Sequence, residues 1–406
     1  MVQLMLAGFG GDQRRVHAAG DTPASSASYG IECYHVNARL SRKLEDIGDL
    51  RIGKFVLLMG YALQAVWCRF RYGVTTLYYI PAPGKPSALY RDWMVMFICR
   101  PFFRRVIFHW HAAGLAKWLE TSVQMRSRAI TFRLMQRVDL SIVLSNYNRA
   151  DAEKIFSQQI KVVGNGIPDP CAEFARDVLP ARLARFAARR KLLAGAASGP
   201  DATPVADADA RVVKVLYLAH CTREKGLFDT LAGVIRANEM LAARSSSLTL
   251  RLLVAGTFVL AEEKEEFERL LAQPGVAGMV EYLGFVSGAK KNQLLREADL
   301  FCFPTFYQNE NQPVNLIEAM AFGLPILTTR WRSIPELFPP DYAGLVKVRA
   351  PEQVAQALIQ LMTVESGEEF RDRFLRGFSL ERHLAGLAEA FRQVESSPFP
   401  GSAVGA

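Results

Sequence analysis

The stretch that decides the fold is residues 303–327, FPTFYQNENQPVNLIEAMAFGLPIL. A short apolar run ends at Phe303, and a polar loop carrying Glu310 follows it. Pro313 suits the first turn of a helix, where its missing N–H leaves no hydrogen bond unmade. The largely apolar helix carries Glu318 and leads into another apolar run. Strand, loop, helix and strand in this order are typical of a parallel α/β sheet.

The same alternation extends outward from this stretch over most of the chain. In the second half the predicted strands are Val212–Leu218, Leu248–Ala255, Val280–Leu283, Leu300–Phe303 and Ile326–Thr328, and the predicted helices are Leu227–Ala243, Ala261–Ala272, Lys290–Ala298 and Pro313–Phe322. In the first half the candidate strands are Leu77–Ile80, Arg105–Phe108, Leu140–Leu144 and Lys161–Val163, with Val2–Leu6 as a candidate first strand. Both halves therefore favour α/β domains.

The two carboxylates of the opening stretch point to a binding site. In parallel sheets, ligands bind beyond the carboxyl ends of the strands, where helix N-termini present free N–H groups to anions. Glu310 lies on such a loop and Glu318 on the helix that follows it, so a sugar diphosphate would suit the place between them. The alternative is that both glutamates are solvated surface residues. Against it, a carboxylate among apolar helix residues is costly to bury without a partner.

The spacing of the two glutamates and the sequence around them resemble those of the retaining glycosyltransferases of family 4, which have the GT-B fold. Their signature is E-x7-E followed by EAMA-x-G-x-P, and Glu310, Glu318 and the residues up to Pro325 match it. Ile334–Pro335–Glu336 resembles a later family motif. The resemblance implies that Glu310 contacts hydroxyls of the donor sugar and Glu318 those of the ribose. It also implies that the backbone of Val314, Asn315 and Leu316 binds the diphosphate.

Two further stretches resemble the same family. In 216-LYLAHCTREKGLFDTL-231, Lys225 matches the diphosphate-binding lysine. The family usually has an arginine where this chain has His220, and Arg223 is the nearby candidate for a second cation. The stretch 280-VEYLGFV-286, with Phe285, resembles the one that packs the nucleobase.

The first half adds residues on the other side of the expected cleft. In 107-IFHWHAAGL-115 the resemblance implies that His111 reaches the donor sugar, with His109 as the alternative. Taken alone, either would be an ordinary core or loop histidine, and the pair lacks a third ligand for a metal. Gly10 and Gly11 are candidates for a glycine loop near the acceptor.

Charge is distributed unevenly over a chain of net charge +9. Residues 1–165 carry 22 Lys/Arg and 11 Asp/Glu, whereas the remainder carries 27 and 29. A basic first half suggests an anionic partner such as a phosphorylated substrate, an anionic membrane face or nucleic acid. Residues 93–98, followed by Arg100, Arg104 and Arg105, are a candidate amphipathic membrane contact, although core packing explains their apolar side chains equally well. No nucleic-acid-binding motif is present, so we expect no nucleic acid partner.

The cysteines, the apolar runs and the acidic motifs restrict the remaining possibilities. The six cysteines are far apart, as in reduced proteins, and no apolar run reaches the roughly 20 residues of a membrane span. We therefore expect a cytoplasmic protein, with possible peripheral contact at the inner membrane face. Asp207–Ala208–Asp209 is a D-x-D, a metal motif in other glycosyltransferases, but it lies in an Ala/Pro-rich linker. We expect no metal and no cofactor.

The overall prediction is a GT-B protein with two doubly wound Rossmann-like domains facing across a cleft. We expect an acceptor-side domain over 1–168 with an irregular or truncated first unit, a linker over 169–210, and a nucleotide-sugar domain over 211–385. The end of a helix and a disordered tail would occupy 386–406. The predicted activity is metal-independent, retaining transfer of a hexosyl unit from a UDP- or GDP-sugar to a saccharide or lipid-linked acceptor in polysaccharide biosynthesis. The alternatives are a nucleotide-sugar epimerase and a non-catalytic binding protein.

Overall fold

The computed structural model describes residues 2–14, 29–38, 52–193, 210–365 and 367–396. Their contacts divide the chain into two units, one made of Met1–Gly166 with Leu380–Ala406, and the other of Ile167–Ser379. Each unit closes its own hydrophobic core, because the buried apolar residues cluster within a unit.

The second unit is built on six parallel strands, which confirms the α/β prediction for this half. They are β5 (Val212–Leu218), β6 (Thr249–Ala255), β7 (Val280–Gly284), β8 (Leu300–Phe303), β9 (Ile326–Thr329) and β10 (Leu345–Val346). Their order across the sheet is β10-β9-β8-β5-β6-β7, so the direction of winding reverses between β5 and β8. Every residue of β8 and β9 is buried, as expected for central strands covered on both faces. A doubly wound sheet binds ligands where its strand order reverses.

Helices cover both faces of this sheet. They are Leu179–Leu193, Leu227–Ala243, Ala261–Leu271, Gly288–Glu297, Val314–Ala321, Pro351–Leu361 and Gly367–Gly377, with short helical turns at Phe174–Val178, Ala277–Met279 and Ile334–Leu337. The four helices predicted from apolar periodicity all form, within two residues of the predicted bounds. Each of them carries apolar residues at helical spacing in its own sequence, so the prediction did not depend on distant residues.

The first unit has four parallel strands in chain order, at the positions predicted for them. They are β1 (Thr76–Tyr79), β2 (Arg105–Trp110), β3 (Leu140–Val143) and β4 (Gln159–Val162). The helices of this unit are Val2–Gly8, Ile52–Arg71, Pro86–Cys99, Leu115–Thr121, Met125–Met135, Arg149–Lys154 and Leu380–Ser396, with short turns at Arg100–Phe102 and Asn146–Asn148. Among the described residues this sheet contains no reversal of strand order, unlike the sheet of the second unit.

The predicted first strand, Val2–Leu6, is wrong, because residues Val2–Gly8 form a helix. Met5 and Phe9, one helical turn apart, pack into one cluster with Leu384 and Leu387 of the last helix. A strand would place the neighbouring residues Met5 and Leu6 on opposite faces, whereas both are buried here. Packing against the last helix therefore decides the secondary structure of this short apolar run.

The two units also divide the chain differently from the predicted segments. Helix Leu179–Leu193, in the predicted linker, belongs to the second unit. Within it, Arg182 donates to the Gly323 carbonyl at 2.9 Å, and Arg189 pairs with Asp299 at 2.6 Å. Helix Leu380–Ser396 belongs to the first unit. Residues 194–209, with the D-x-D at 207–209, and the predicted tail from 397 lie outside the described residues.

Candidate functional site

A cavity of about 340 Å³ opens where the strand order of the second unit reverses. The carboxyl ends of β5, β6 and β8 and the start of helix Val314–Ala321 surround it. Its lining residues are Leu218, Ala219, His220, Lys225, Ala255, Gly256, Thr257, Phe285, Val286, Lys291, Phe303, Glu310, Pro313, Val314, Asn315 and Glu318. The structure thus brings seven of the predicted donor-site residues to one place.

Lys225 and Glu310 form an ion pair at one side of the cavity. The Lys225 Nζ lies 2.7 Å from Glu310 Oε2 and 4.4 Å from the centroid of the Tyr307 ring. The Thr305 hydroxyl donates to the same carboxylate oxygen at 3.1 Å. Both members of the pair are mostly buried, with 19% and 11% of their side chains exposed. The cation is therefore held in place by a carboxylate and by two aromatic rings, those of Tyr307 and Phe303.

Backbone geometry fixes the loop that carries Lys225. Gly226 caps helix Leu227–Ala243 with a left-handed φ of 84°. A Cβ atom at this position would lie 2.4 Å from the Pro304 carbonyl oxygen, at the end of β8. Only glycine allows both the left-handed turn and this close approach. The sequence Lys225–Gly226 therefore sets the lysine over the end of the neighbouring strand.

Helix Val314–Ala321 points its N-terminus into the cavity, with Pro313 as its N-cap. The first N–H groups of a helix have no partner within it, and they attract anions. The Asn315 side chain donates to the Leu218 carbonyl at 3.0 Å and so ties the helix start to the end of β5. Leu316, the third predicted diphosphate-binding residue, is fully buried and does not line the cavity.

Glu318 pairs with Lys291, a residue that sequence reasoning missed. The two side chains are 18% and 27% exposed and both line the cavity. The sequence did indicate that Lys291 is partly buried. It occurs at helical spacing from Leu294, Leu295 and Ala298, on the apolar face of its helix. The neighbouring Lys290 points to solvent instead. Glu318 is thus a mostly buried carboxylate with a cationic partner, as its apolar surroundings require.

Of the remaining predicted donor residues, Phe285 and His220 line this cavity and Arg223 does not. Phe285 lines it with an exposed ring just after β7, and His220 lines it as well. Arg223 is absent from the lining. Its guanidinium pairs with Glu266 at 2.5 Å and lies 4.4 Å from the Phe228 ring centroid. The structure therefore does not bring Arg223 to the other cations as a second diphosphate ligand.

Comparison with known proteins identifies the domain that contains this cavity. Residues 214–364 match the family model described as glycosyl transferases group 1. This part of the chain is a group 1 glycosyltransferase domain. Among curated relatives, WcaL of Escherichia coli, named for colanic acid biosynthesis, is 29% identical over 199 residues, which are 47% of this chain and 46% of WcaL. The amylovoran biosynthesis glycosyltransferase AmsK of Erwinia amylovora is 30% identical over 40% of this chain and 38% of AmsK. The alignments thus span less than half of these relatives.

Solved structures confirm the GT-B fold predicted from the sequence. HepE of Anabaena, solved in complex with UDP, shares 15% identity, covers 82% of each chain and has a TM-score of 0.57. A glycosyltransferase from Rickettsia africae shares 11% identity, covers 98% of this chain and 96% of its own, and has a TM-score of 0.60. At such identities the likeness establishes the architecture alone.

Outside the glycosyltransferase domain, the first unit brings three histidines together, with His109 and His383 buried and His111 partly exposed. The His109 ring centroid lies 4.2 Å from that of His111 and 6.2 Å from that of His383. The Tyr78 hydroxyl lies 2.5 Å from His109 Nδ1, and His383 Nδ1 lies 2.7 Å from the Gly164 carbonyl oxygen. Nothing in the sequence linked His383 to the other two, because it comes from the last helix.

Burial keeps these imidazoles neutral. Desolvation, together with smaller contributions from the positive charge of the chain's amino terminus and from His383, lowers the pKa of His111 to about 4. The pKa of His109 is well below its usual range for the same first reason, with added repulsion from His111 and His383. Three adjacent rings cannot carry charge together in a buried place. His111 is therefore a neutral hydrogen-bonding group at neutral pH.

The glycines of the predicted acceptor loop have a different setting from the expected one. Gly10 and Gly11 have φ values of 89° and 87° and follow the helix Val2–Gly8 rather than a strand. The Gly11 N–H donates to the Leu6 carbonyl at 2.7 Å, which terminates that helix. Their contact with an acceptor stays a prediction.

Within the described ranges, no group of three His, Cys, Asp or Glu side chains is placed to hold a metal ion. The same part of the chain has no helix long and apolar enough to cross a bilayer.

Proposed function

We propose that this chain is a retaining glycosyltransferase that moves a hexosyl unit from a UDP- or GDP-sugar to a hydroxyl of a saccharide or lipid-linked saccharide. The observation that carries the proposal is the cavity at the strand-order reversal, where two lysine–glutamate pairs flank a helix N-terminus. The names of WcaL and AmsK support a role in cell-surface polysaccharide biosynthesis, and the HepE complexes with UDP and UDP-glucose support a nucleotide-sugar donor.

Donor binding would exchange the partners of the two ion pairs. A diphosphate brings negative charge to the helix start, and the Lys225 ammonium can turn from Glu310 to a phosphate oxygen. Glu310 is then free to accept hydrogen bonds from sugar hydroxyls, while Glu318 accepts them from the ribose. The exposed Phe285 ring offers a flat apolar surface for the base.

The reaction needs charge stabilisation more than a side-chain nucleophile. The bond from the anomeric carbon to the diphosphate oxygen breaks, and a bond to the acceptor oxygen forms on the same face. The acceptor proton passes to the departing phosphate oxygen. Lys225 and the first amides of helix Val314–Ala321 stabilise the negative charge that develops there. In this scheme neither a metal nor a cofactor takes part, and His111 orients the sugar.

The proposed compartment is the cytoplasm. All six cysteines are free thiols in the structure, and five of them are buried. Disulfides are rare in reducing compartments, so unpaired buried thiols fit such a location.

The first experiment is a thermal-shift measurement with UDP, GDP, ADP and their hexose conjugates, without added metal. A ligand that binds only the folded protein must raise its melting temperature. We expect a shift with one nucleotide family, lost in Lys225→Ala and Glu318→Ala but kept in Lys290→Ala, whose side chain is exposed and outside the cavity. No shift with any nucleotide in a folded sample would refute the proposal.

Retention of configuration has its own test. When water takes the place of the acceptor, the same reaction releases the free sugar, and NMR can identify the anomer that is released first. An α-linked donor should release the α anomer before mutarotation, in an amount that falls with Lys225→Ala. Initial release of the β anomer would show inversion instead.

A further inference from the structure

One helix of the first unit exposes an unusual amount of apolar surface. Helix Ile52–Arg71 buries a narrow stripe formed by Leu58, Ala62 and Cys68. Around that stripe its large apolar side chains face outward, and they are Phe55, Val56, Leu57, Met59, Leu63, Trp67 and Phe70. Soluble helices normally present charged and polar residues on that side. A contiguous apolar patch of this size usually marks a contact surface.

The patch continues onto the neighbouring elements. The Phe70 and Phe102 rings meet edge to face with their centroids 5.9 Å apart. Helix Pro86–Cys99, which packs against helix Ile52–Arg71, adds Phe97 with 71% of its surface exposed. We call these side chains, from Phe55 to Phe70 with Phe97 and Phe102, the apolar face.

Positive charge is concentrated in the part of the chain that carries the apolar face. Residues 51–150 contain 15 Lys/Arg and three Asp/Glu. The three acids are already paired, because Asp92 accepts from Tyr79 at 2.6 Å, Asp139 accepts from the Val106 amide at 2.8 Å, and Glu120 pairs with Lys154. Arg69 lies at the edge of the face, where its Nε donates to the Phe102 carbonyl at 3.0 Å. Arg71 and Arg104 are exposed nearby.

We propose that the apolar face docks this protein onto an anionic lipid surface, with helix Ile52–Arg71 lying in the plane of the interface. Aromatic and aliphatic side chains would enter the boundary between headgroups and acyl chains, and the arginines would meet lipid phosphates. The helix lies on the membrane rather than across it, because its buried stripe remains packed on its own unit.

Charge complementarity favours lipid over the other occupants. A symmetric contact between two copies would bring the arginine rims together, and like charges oppose each other across such an interface. A nucleic acid would need cations over the centre of the face to meet its phosphates. Here aliphatic and aromatic side chains occupy the centre, and Arg69 and Arg71, which flank Phe70 in the sequence, lie at the edge. An anionic bilayer matches both features at once.

The test is flotation of the full chain with vesicles of phosphatidylcholine, alone or mixed with phosphatidylglycerol, at low and high salt. We expect binding to the mixed vesicles, weakened by salt. Leu63→Ser with Phe97→Ser should weaken it about tenfold or more, because both apolar insertions are lost. The matched control is Met125→Ser with Val259→Ser. The control side chains are 76% and 63% exposed, against 54% and 71% for the tested pair. Arg71→Gln with Arg104→Gln should remove the preference for phosphatidylglycerol.

A spectroscopic signal reports the same contact. Trp67 belongs to the apolar face and is half exposed. Its fluorescence should shift to shorter wavelength with phosphatidylglycerol vesicles, and the shift should vanish in Trp67→Phe. Nucleotide binding should stay unchanged in every variant, since no substituted residue lines the donor cavity. Failure to bind either vesicle, equal binding by the tested and control pairs, or dimerisation through Leu63 and Phe97 without lipid binding would each overturn the proposal.

Discussion

At the scale of single residues, the proposed donor cavity is lined by two lysine–glutamate ion pairs. Lys225 with Glu310 and Lys291 with Glu318 neutralise each other in places where less than a third of each side chain meets solvent. Burying one member alone would be costly, so each pair stabilises the arrangement that a ligand later uses. The second pair adds Lys291 to the donor-site residues that the motif spacing indicated.

Lys291→Met should weaken binding of a nucleoside diphosphate about tenfold or more, since a charge-assisted hydrogen bond contributes about 1.5–3 kcal/mol. Glu318 would lose the cation that holds its carboxylate. Titration calorimetry with the nucleotide selected by thermal shift measures the effect. Lys290→Met is the matched control, because it removes the same charge one position away on an exposed side chain. Equal losses in the two variants would show that only the general charge matters.

The buried histidines predict a dependence of stability on pH. An unfolded histidine has a pKa near 6.5, whereas folding lowers the pKa of His111 to about 4. The unfolded chain therefore binds more protons below about pH 6.5. Stability is complete above that pH and falls as the pH drops toward 4, by up to about 1.4 kcal/mol per pH unit for each such histidine.

Urea unfolding at pH 7 and pH 5 measures this loss. His111→Asn should reduce the difference between the two pH values, because it removes one group that must stay neutral in the folded state. His220→Asn should leave the difference unchanged, since that side chain is exposed. A stability that is flat between pH 7 and pH 5 would contradict the neutral cluster.

The sequence predicts a site residue well when the neighbours that define its role are close to it in the sequence. Glu310, Glu318 and Lys225 were identified because short ordered motifs contain them, and the structure places all three at one cavity. Lys291 was missed although helical spacing indicated its buried side. His383 had no such signal, because only the folded chain brings it beside His109.

At the scale of secondary-structure elements, the second half was predictable because each strand and helix carries its own apolar period. Val212–Leu218 and Leu227–Ala243 have the predicted bounds. The first half contains the exception, residues 2–6, whose apolar run is too short to distinguish a strand from a helix. Packing on the last helix decides the matter, and that contact is not local.

The turn between β5 and its following helix gives a prediction at this scale. Gly226→Ala should destabilise the second unit by about 2 kcal/mol or more, because the new Cβ meets the Pro304 carbonyl and the left-handed φ disfavours alanine. Nucleotide binding should fall as well, since the turn holds Lys225. Gly278→Ala is the control, as its Cβ would meet nothing within 4 Å. Denaturant unfolding and thermal shift measure the two effects, and equal stability of both variants would refute the steric argument.

At the scale of the whole molecule, the chain leaves its first unit at residue 166 and returns to it at 380. The last helix supplies Leu384, Leu387 and Val394 to the core that also holds Ile107 and Ile142 of the first sheet. The sequence could not predict this return, because an amphipathic helix indicates only that some apolar partner exists. The second unit, in contrast, is continuous in sequence and complete in its core.

The isolated segment 167–379 should therefore fold and bind nucleotide by itself. Every residue that lines the donor cavity lies within it, as do both ion pairs. We expect cooperative unfolding and a nucleotide-dependent thermal shift close to that of the full chain. The segment 1–166 is the counterpart, and without the last helix it would expose Met5, Phe9 and Ile107 and should aggregate. Adding residues 380–406 to it through a flexible linker should restore a soluble fold. If 167–379 folds but binds no nucleotide, the donor site must draw on residues outside the second unit, and the cavity described here would be only part of it.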